Sequence, residues 1–161
     1  MKLKMYQVDA FADKLFSGNP AAVVILESSI KDEVMQSIAA ENNLSETAFV
    51  SVYESPISIR WFTPSLEVDL CGHATLASAR ILFDYYPDLA RKEINLNSKS
   101  GVLKITQVEH GLCLNFPIDQ PAEIESDPLF FEILGIQPLM LLRGKDDYLA
   151  GIKNEKQKEN I

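Results

Sequence analysis

The stretch EVDLCGHATLASARILF, Glu67 to Phe83, runs from an apolar strand pattern through a Cys-Gly-His turn into a helix whose only charge is Arg80. A helix that is apolar on almost every side belongs inside a core rather than on a surface. In a chain of 161 residues, such a helix needs a sheet around it. The stretch therefore predicts an α+β fold, in which a curled, mostly antiparallel sheet wraps around a central apolar helix over residues 74–83.

The rest of the sequence contains the strands that this sheet needs. Alternating apolar and polar residues, and one continuous apolar run (AAVVIL), are typical of half-buried and central strands. Turn residues predict tight connections at Ser100-Gly101 and His110-Gly111, so the last strands form a meander. The predicted strands cover residues 2–11, 21–26, 46–53, 57–63, 93–98, 101–108 and 111–117.

One further helix is predicted between the second and third strands. Ile30, Val34 and Ile38 recur at helical spacing, and Ser29 is the expected N-cap of a helix that ends near Asn42 or Asn43. The acidic, proline-containing composition of the segment after Pro117 predicts a boundary between two structural units there. Residues 1–117 form the first predicted unit, and residues 118–161 form a linker followed by the start of a second.

The second predicted unit is short. It contains a helix over residues 129–135, a strand over residues 147–152 and a polar ending from residue 153. Because the strand has no later segment to pair with, we expect the chain to be truncated within this unit.

Composition excludes several classes of function. The formal net charge is −8, which argues against binding to a nucleic-acid backbone, since that needs a cationic face. No apolar run approaches the roughly 20 residues that cross a bilayer. The 2 cysteines are too few for a disulfide framework and are typical of free thiols in a reducing compartment. We therefore expect a cytoplasmic protein without nucleic-acid or membrane partners.

Glu46 is the first candidate for chemistry. It begins the strand in which Ala48, Val50 and Val52 lie on the same face. A carboxylate on an apolar face is partly desolvated, which suits a group that must both donate and accept a proton. The alternative is that Glu46 is simply the exposed first residue of its strand.

The turn over residues 71–75 is the second candidate. Backbone N–H groups at a helix start lack intrahelical partners, so they can hold a substrate carboxylate at Gly72, His73 and Ala74. His73 would donate a hydrogen bond, or would be a helix cap or core histidine. Cys71 would be a secondary acid or base with a pKa lowered by the helix end, or a small buried apolar residue.

Two further points complete the site. Asn19, in the turn SGNP, is a polar group that reaches a substrate or merely shapes the turn. Asp69 would orient His73 or face water.

The sequence contains no motif for a metal or a nucleotide. With His73 and His110 as the only histidines and no Cys-x-x-Cys pair, we expect no metal site. No glycine-rich nucleotide loop is present either.

Several stretches together resemble one family. YQVDAF, SGNPAAVV, AAENNLSETAFV, IRWFTPSLEVDLCGHATLASA and SGVLKI are similar, in order and spacing, to the phenazine-biosynthesis PhzF-like isomerases. These stretches cover nearly all of residues 5–117, and LLRGKDDYLAGI resembles the start of the family's second lobe. The family has the diaminopimelate epimerase fold, with two similar lobes, each a sheet curled round a central helix, and an active site between them.

The resemblance implies a proton shuttle that needs no cofactor. The family's catalytic glutamate corresponds to Glu46 in the SET motif, and its first-lobe Gly-His pair corresponds to Gly72 and His73. The motif GNP places Asn19 at the cleft. Cys71 stands where related epimerases keep a catalytic cysteine, although the PhzF-like proteins are thought to use the glutamate.

The resemblance also predicts what the chain binds, and it leaves three hypotheses about function. Family members are longer, and their second lobe supplies an aspartate and a second carboxylate-binding turn. We therefore expect a small carboxylate-bearing substrate and a homodimer or other self-association. The main hypothesis is an isomerase or epimerase that uses Glu46. The alternatives are a truncated, catalytically silent lobe that acts as a binding or interaction module, and a thiol-dependent racemase that uses Cys71.

Overall fold

The computed structural model describes residues 1–125 and 128–154 of the chain. It divides into two compact units, residues 1–117 and residues 118–161. In the first unit, the helices are α1 (Asp32–Asn42) and α2 (Gly72–Tyr85). Its strands are β1 (Lys4–Ala10), β2 (Asn19–Leu26), β3 (Glu46–Ser51), β4 (Ser58–Phe62), β5 (Glu67–Val68), β6 (Glu93–Ser98), β7 (Gly101–Val108) and β8 (Gly111–Asn115).

The strands of the first unit form one curled sheet, as the sequence predicts. Their order is β1-β2-β3-β4-β6-β7-β8, with β5 paired to β4. Only the pairs β2–β3 and β4–β6 are parallel, and the other pairs are antiparallel. The predicted α+β fold with a mostly antiparallel sheet is therefore confirmed.

Strand β2 is apolar throughout because both of its faces are covered. Val23 and Ile25 belong to the core cluster that contains α2, whereas Val24 and Leu26 pack in a second cluster with Met35 of α1. Successive side chains of a strand point to opposite faces of the sheet. The continuous run AAVVIL thus follows from the position of β2 between two helices.

Helix α2 lies in the centre of the larger core cluster. Alanines at positions 74, 77 and 79 let it approach the sheet, and Leu82 fills the space beside Trp61 and the other large side chains of this cluster. Its exposed side carries Arg80, whose guanidinium pairs with Asp84 at 2.8 Å. The helix predicted from residue 74 to residue 83 is confirmed and extends further at both ends.

The predicted start of α1 is wrong by two residues, because the N-cap position is Lys31 rather than Ser29. Lys31, in extended conformation, precedes the first helical residue, and no side chain caps the helix. The acidic first turn, Asp32 and Glu33, supplies negative charge where the helix dipole favours it. Ser29 therefore lies before the helix rather than at its cap.

The second unit contains a sheet of three strands and a short helix. Its elements are β9 (Ala122–Glu123), α3 (Pro128–Leu134), β10 (Met140–Arg143) and β11 (Tyr148–Gly151). The last predicted strand has no later segment to pair with, and the structure pairs β11 antiparallel with the preceding strand β10, which the sequence analysis did not predict. The predicted polar ending lies outside the described residues from residue 155 onward. None of the described helices has the length and apolar character needed to cross a membrane.

Candidate active site

Glu46 lies at the edge of the main core, where β3 begins. Its neighbours on the same face, Ala48 and Val50, belong to the cluster around α2. In the parallel β2–β3 pair, Glu46 is in register with Ala21, which is also in that cluster. The Glu46 side chain is 21% exposed, so its carboxylate lies between the apolar core and solvent.

The first turn of α2 faces this carboxylate. His73 Nε2 lies 3.3 Å from Glu46 Oε2, and the His73 side chain is only 10% exposed. On the other side of the ring, His73 Nδ1 lies 3.4 Å from Cys71 Sγ. The imidazole thus stands between a thiol and a carboxylate. The sequence separates Glu46 from this turn, and the fold brings them together.

The Cys71 thiol differs from the sequence-based prediction. Burial raises its pKa to about 12, and the nearby Glu46 charge acts in the same direction. The backbone N–H groups of Ala74 and His73 lower it by less. The prediction of a pKa lowered by the helix end is therefore wrong, because desolvation of the thiolate exceeds the effect of the helix N-terminus.

Two polar atoms at this site are buried without a hydrogen-bond partner among the described residues. They are Glu46 Oε2 and His73 Nε2. The two atoms face each other at 3.3 Å, but without the alignment of a hydrogen bond. Buried polar atoms in native proteins nearly always have a partner, so an unsatisfied pair indicates a site for a ligand.

The same three side chains form a cluster of potential metal ligands. One ligand atom from each of Glu46, Cys71 and His73 lies within 4.8 Å of the others. The sequence analysis predicted no metal site because it considered spacing along the chain alone. His110 is exposed on the turn between β7 and β8, and Cys113 is exposed on β8.

Asn19 begins β2 at the same end of the sheet as Glu46. Its Oδ1 accepts a hydrogen bond of 3.5 Å from Ser45 Oγ, next to Glu46 in the chain. Gly18 precedes it, and a Cβ there would lie 2.5 Å from the Ala10 carbonyl oxygen. The loop therefore needs glycine to bring Asn19 to this position. Ser45 is a neighbour that the sequence analysis missed, although it stands in the SET motif.

The turn residues differ in accessibility. Gly72 and His73 keep some exposure to solvent, whereas Ala74 is fully buried. A Cβ on Gly72 would lie 3.4 Å from the Phe116 ring. Asp69 is exposed, and the ring nitrogens of His73 face Cys71 and Glu46 instead. The accessible part of the turn is thus the Gly72–His73 pair.

A family model matches most of the chain. The model described as PhzC-PhzF, phenazine biosynthesis-like protein, matches residues 8–128. The chain belongs to this PhzF-like family. It is 45% identical over 162 residues to an uncharacterized isomerase of Halalkalibacterium halodurans, with 100% of this chain and 61% of that protein covered. It is also 45% identical over 155 residues to an uncharacterized isomerase of Pseudomonas aeruginosa, with 96% and 59% covered.

A solved structure shows the same architecture. The crystal structure of a PhzF-family phenazine biosynthesis protein of Enterococcus faecalis is 44% identical in sequence, with a TM-score of 0.83. The match covers 98% of this chain and 60% of that chain. This chain spans 61% and 59% of the length of the two curated relatives above.

Proposed function

We propose that this chain takes part in a cofactor-independent isomerase reaction, in which Glu46 moves a proton on a small carboxylate-bearing molecule. The observation that carries the proposal is the Glu46 carboxylate, partly desolvated and 3.3 Å from His73 Nε2 at the start of α2. Isomerase-named relatives at 45% identity support the class of reaction. Substrate and activity belong to the proposal.

On this proposal, the His73 ring lies beside the Glu46 carboxylate in a defined protonation state. The buried Cys71 remains a thiol at neutral pH, since its pKa is raised to about 12. A thiol that donates to Nδ1 places the ring proton on Nε2, beside Glu46. His73 Nε2–H then stands beside the Glu46 carboxylate and donates to a substrate oxygen while Glu46 removes a proton from carbon.

The substrate carboxylate binds at the accessible Gly72–His73 part of the turn. N–H groups that lack intrahelical partners and the positive end of the α2 dipole favour an anion there. Asn19, held by Ser45, supplies a polar contact from the same end of the sheet. Residues 1–117 correspond to the first lobe of the family fold on this proposal.

Deuterium exchange tests the function. The chain is incubated in heavy water with a panel of amino acids and unsaturated carboxylic acids, and loss of C–H signals is followed by proton NMR. We expect exchange with at least one compound, and about a 100-fold or greater decrease in Glu46→Gln, the size typical of a lost general base. Glu54→Gln changes an exposed glutamate on the turn after β3 and should exchange like wild type.

The outcome also separates the alternatives. If Cys71→Ser loses exchange and Glu46→Gln retains it, the thiol is the base and the proposal is wrong. If wild type exchanges no compound but binds one in a thermal-shift assay, the chain is a binding module without turnover.

A further inference from the structure

We propose that Lys99 and Ser100, on the turn between β6 and β7, are positioning residues that hold the segment leading into the Gly72–His73 turn. Ser100 Oγ donates a hydrogen bond of 2.9 Å to the backbone carbonyl of Asp69. Lys99 Nζ lies 2.6 Å from Glu67 Oε2. The role of these contacts in the reaction rests on the proposed function, whereas the holding of the segment does not.

Strand β5 is too short to fix the start of α2 by its own pairing. It contains only Glu67–Val68 and pairs with β4 through two positions. From Asp69 to Gly72 the chain advances three residues, which span at most about 10 Å. A displacement of Asp69 is therefore transmitted to the first turn of α2, where the substrate carboxylate would bind.

The turn that carries Lys99 and Ser100 has a defined shape. Ser98 Oγ donates to the Gly101 carbonyl at 2.8 Å and accepts from the Ser100 N–H at 3.2 Å. Gly101 has a φ of +100°, a conformation that side-chain-bearing residues rarely adopt. Because β6 and β7 pair up to Ser98 and Gly101, the turn is fixed to the main sheet.

The Glu67 carboxylate is held from two directions. Arg60 of β4 donates to it through Nε at 2.7 Å and through Nη2 at 2.9 Å. The hydrogen bond from Arg60 lowers the pKa of Glu67, and the one from Lys99 acts in the same direction. The carboxylate is therefore charged at neutral pH and connects β5 to both β4 and the β6–β7 turn.

The two contacts should act locally rather than on the stability of the whole unit. The Lys99 side chain is 50% exposed, and exposed ion pairs contribute little to global stability. Their loss should leave the fold intact and allow the start of α2 to open more often. This difference separates a positioning role from a general structural one.

The reactivity of Cys71 reports on this opening, because the thiol is buried immediately before Gly72. Cys113→Ser leaves Cys71 as the only thiol, and its modification by iodoacetamide at pH 8 is followed by mass spectrometry. Ser100→Ala and Lys99→Met should each raise the rate about 2- to 10-fold, as expected when one net hydrogen bond is lost. Ser100→Thr retains the hydroxyl and should react like wild type.

Two matched controls remove the same groups elsewhere. Ser37→Ala deletes a hydroxyl that donates to a backbone carbonyl on α1, and Lys104→Met deletes a lysine that is also 50% exposed and ion-paired. Neither should change the Cys71 rate, and urea midpoints of all variants should stay within about 0.5 M of wild type. If Ser100→Ala and Lys99→Met react like wild type, or the controls react as fast as they do, the proposal is wrong.

Deuterium exchange tests whether the held segment serves the reaction. With the panel compound that wild type exchanges fastest, Ser100→Ala should raise KM about 2- to 10-fold, because a mobile turn binds the carboxylate less tightly. A smaller folded fraction would instead lower kcat and leave KM unchanged. An unchanged KM beside a faster Cys71 reaction overturns the role in substrate binding and leaves the holding of the segment. If wild type exchanges no compound, the proposed function fails, and the thiol rates still decide whether the segment is held.

Discussion

Replacing Leu82 with alanine tests whether α2 is the structural centre of the first unit. Leu82 is 0% exposed and lies on the face of α2 that packs in the main core cluster. The substitution removes three carbon atoms from that cluster and leaves the helix backbone unchanged. Because alanine is the best helix former, the loss of stability reports packing rather than helix propensity.

The size of the effect follows from complete burial. Three buried carbon groups at about 0.8 kcal/mol each account for about 2.4 kcal/mol of lost transfer free energy. The cavity left in a core fixed by the sheet adds about 1–2 kcal/mol, so we expect a total loss of about 3.5–4.5 kcal/mol. A domain of this size is stable by about 5–15 kcal/mol, so the variant should fold with a much smaller margin.

Urea unfolding measures this loss through the chain's single tryptophan. Trp61 is 1% exposed in the same cluster, so its fluorescence reports on the first unit. With a urea slope of about 1.5–2 kcal/mol per molar, the midpoint should fall by about 2 M. Leu15→Ala is the control, because Leu15 is 84% exposed and the same truncation there should cost less than about 0.5 kcal/mol. A loss below about 1 kcal/mol at Leu82, or one equal to that at Leu15, would show that the helix is not the packed centre.

Three further predictions concern reactivity, charge and assembly. At pH 8, iodoacetamide should modify the exposed Cys113 much faster than Cys71, whose pKa burial raises to about 12; equal rates by peptide mass spectrometry would contradict this. A hydrogen bond from Arg60 lowers the pKa of the Glu67 carboxyl, so this pair stabilises the fold above the ordinary glutamate range and loses its contribution as pH falls through the lowered value. Arg60→Gln should therefore cost about 1–2 kcal/mol in urea unfolding at pH 7 and progressively less toward pH 3, whereas a constant cost would argue for packing alone. The exposed apolar side chains include Phe16 at 95%, so we expect concentration-dependent self-association in sedimentation velocity that Phe16→Ser reduces, and a monomer at every concentration would refute it.

The central part of the fold could be predicted from local patterns. The largely apolar helix after Cys71 predicts its own burial, and the run AAVVIL predicts a strand covered on both faces. These predictions hold because each depends on a residue pattern shorter than one element. The start of α1 was mispredicted because a serine cap signal at Ser29 competes with an extended Lys31, and the local sequence does not decide between them.

The second unit shows the limit of the same reasoning. The segment with β10 was not predicted as a strand, because Pro138 and the short run that follows resemble a loop. Its pairing with β11 depends on contacts between segments rather than on alternation within one of them. Strand partners are set by tertiary contacts, so a strand can be predicted correctly while its partner is not.

In the candidate site, the residues could be predicted from the sequence, but the distances between them could not. Glu46, Gly72 and His73 could each be selected from the residue type and the position of an element end. Their mutual distances could not, because they depend on the parallel β2–β3 pair and on the return of the chain from β4 to α2. The cluster of three potential metal ligands was missed for this reason, since Glu46 is far from the Cys-Gly-His turn in sequence.

The Cys71 thiol shows how magnitudes decide between two correct principles. A helix N-terminus stabilises a nearby negative charge by about 0.3–1 kcal/mol, and by about 2 kcal/mol in the most favourable cases. A rise of the Cys71 pKa from 9.0 to about 12 corresponds to about 4 kcal/mol against the thiolate. Burial at the start of α2, reinforced by the Glu46 charge, therefore exceeds the helix effect. The thiol therefore stays protonated at neutral pH, which favours the proposal that Glu46 rather than Cys71 accepts the proton from carbon.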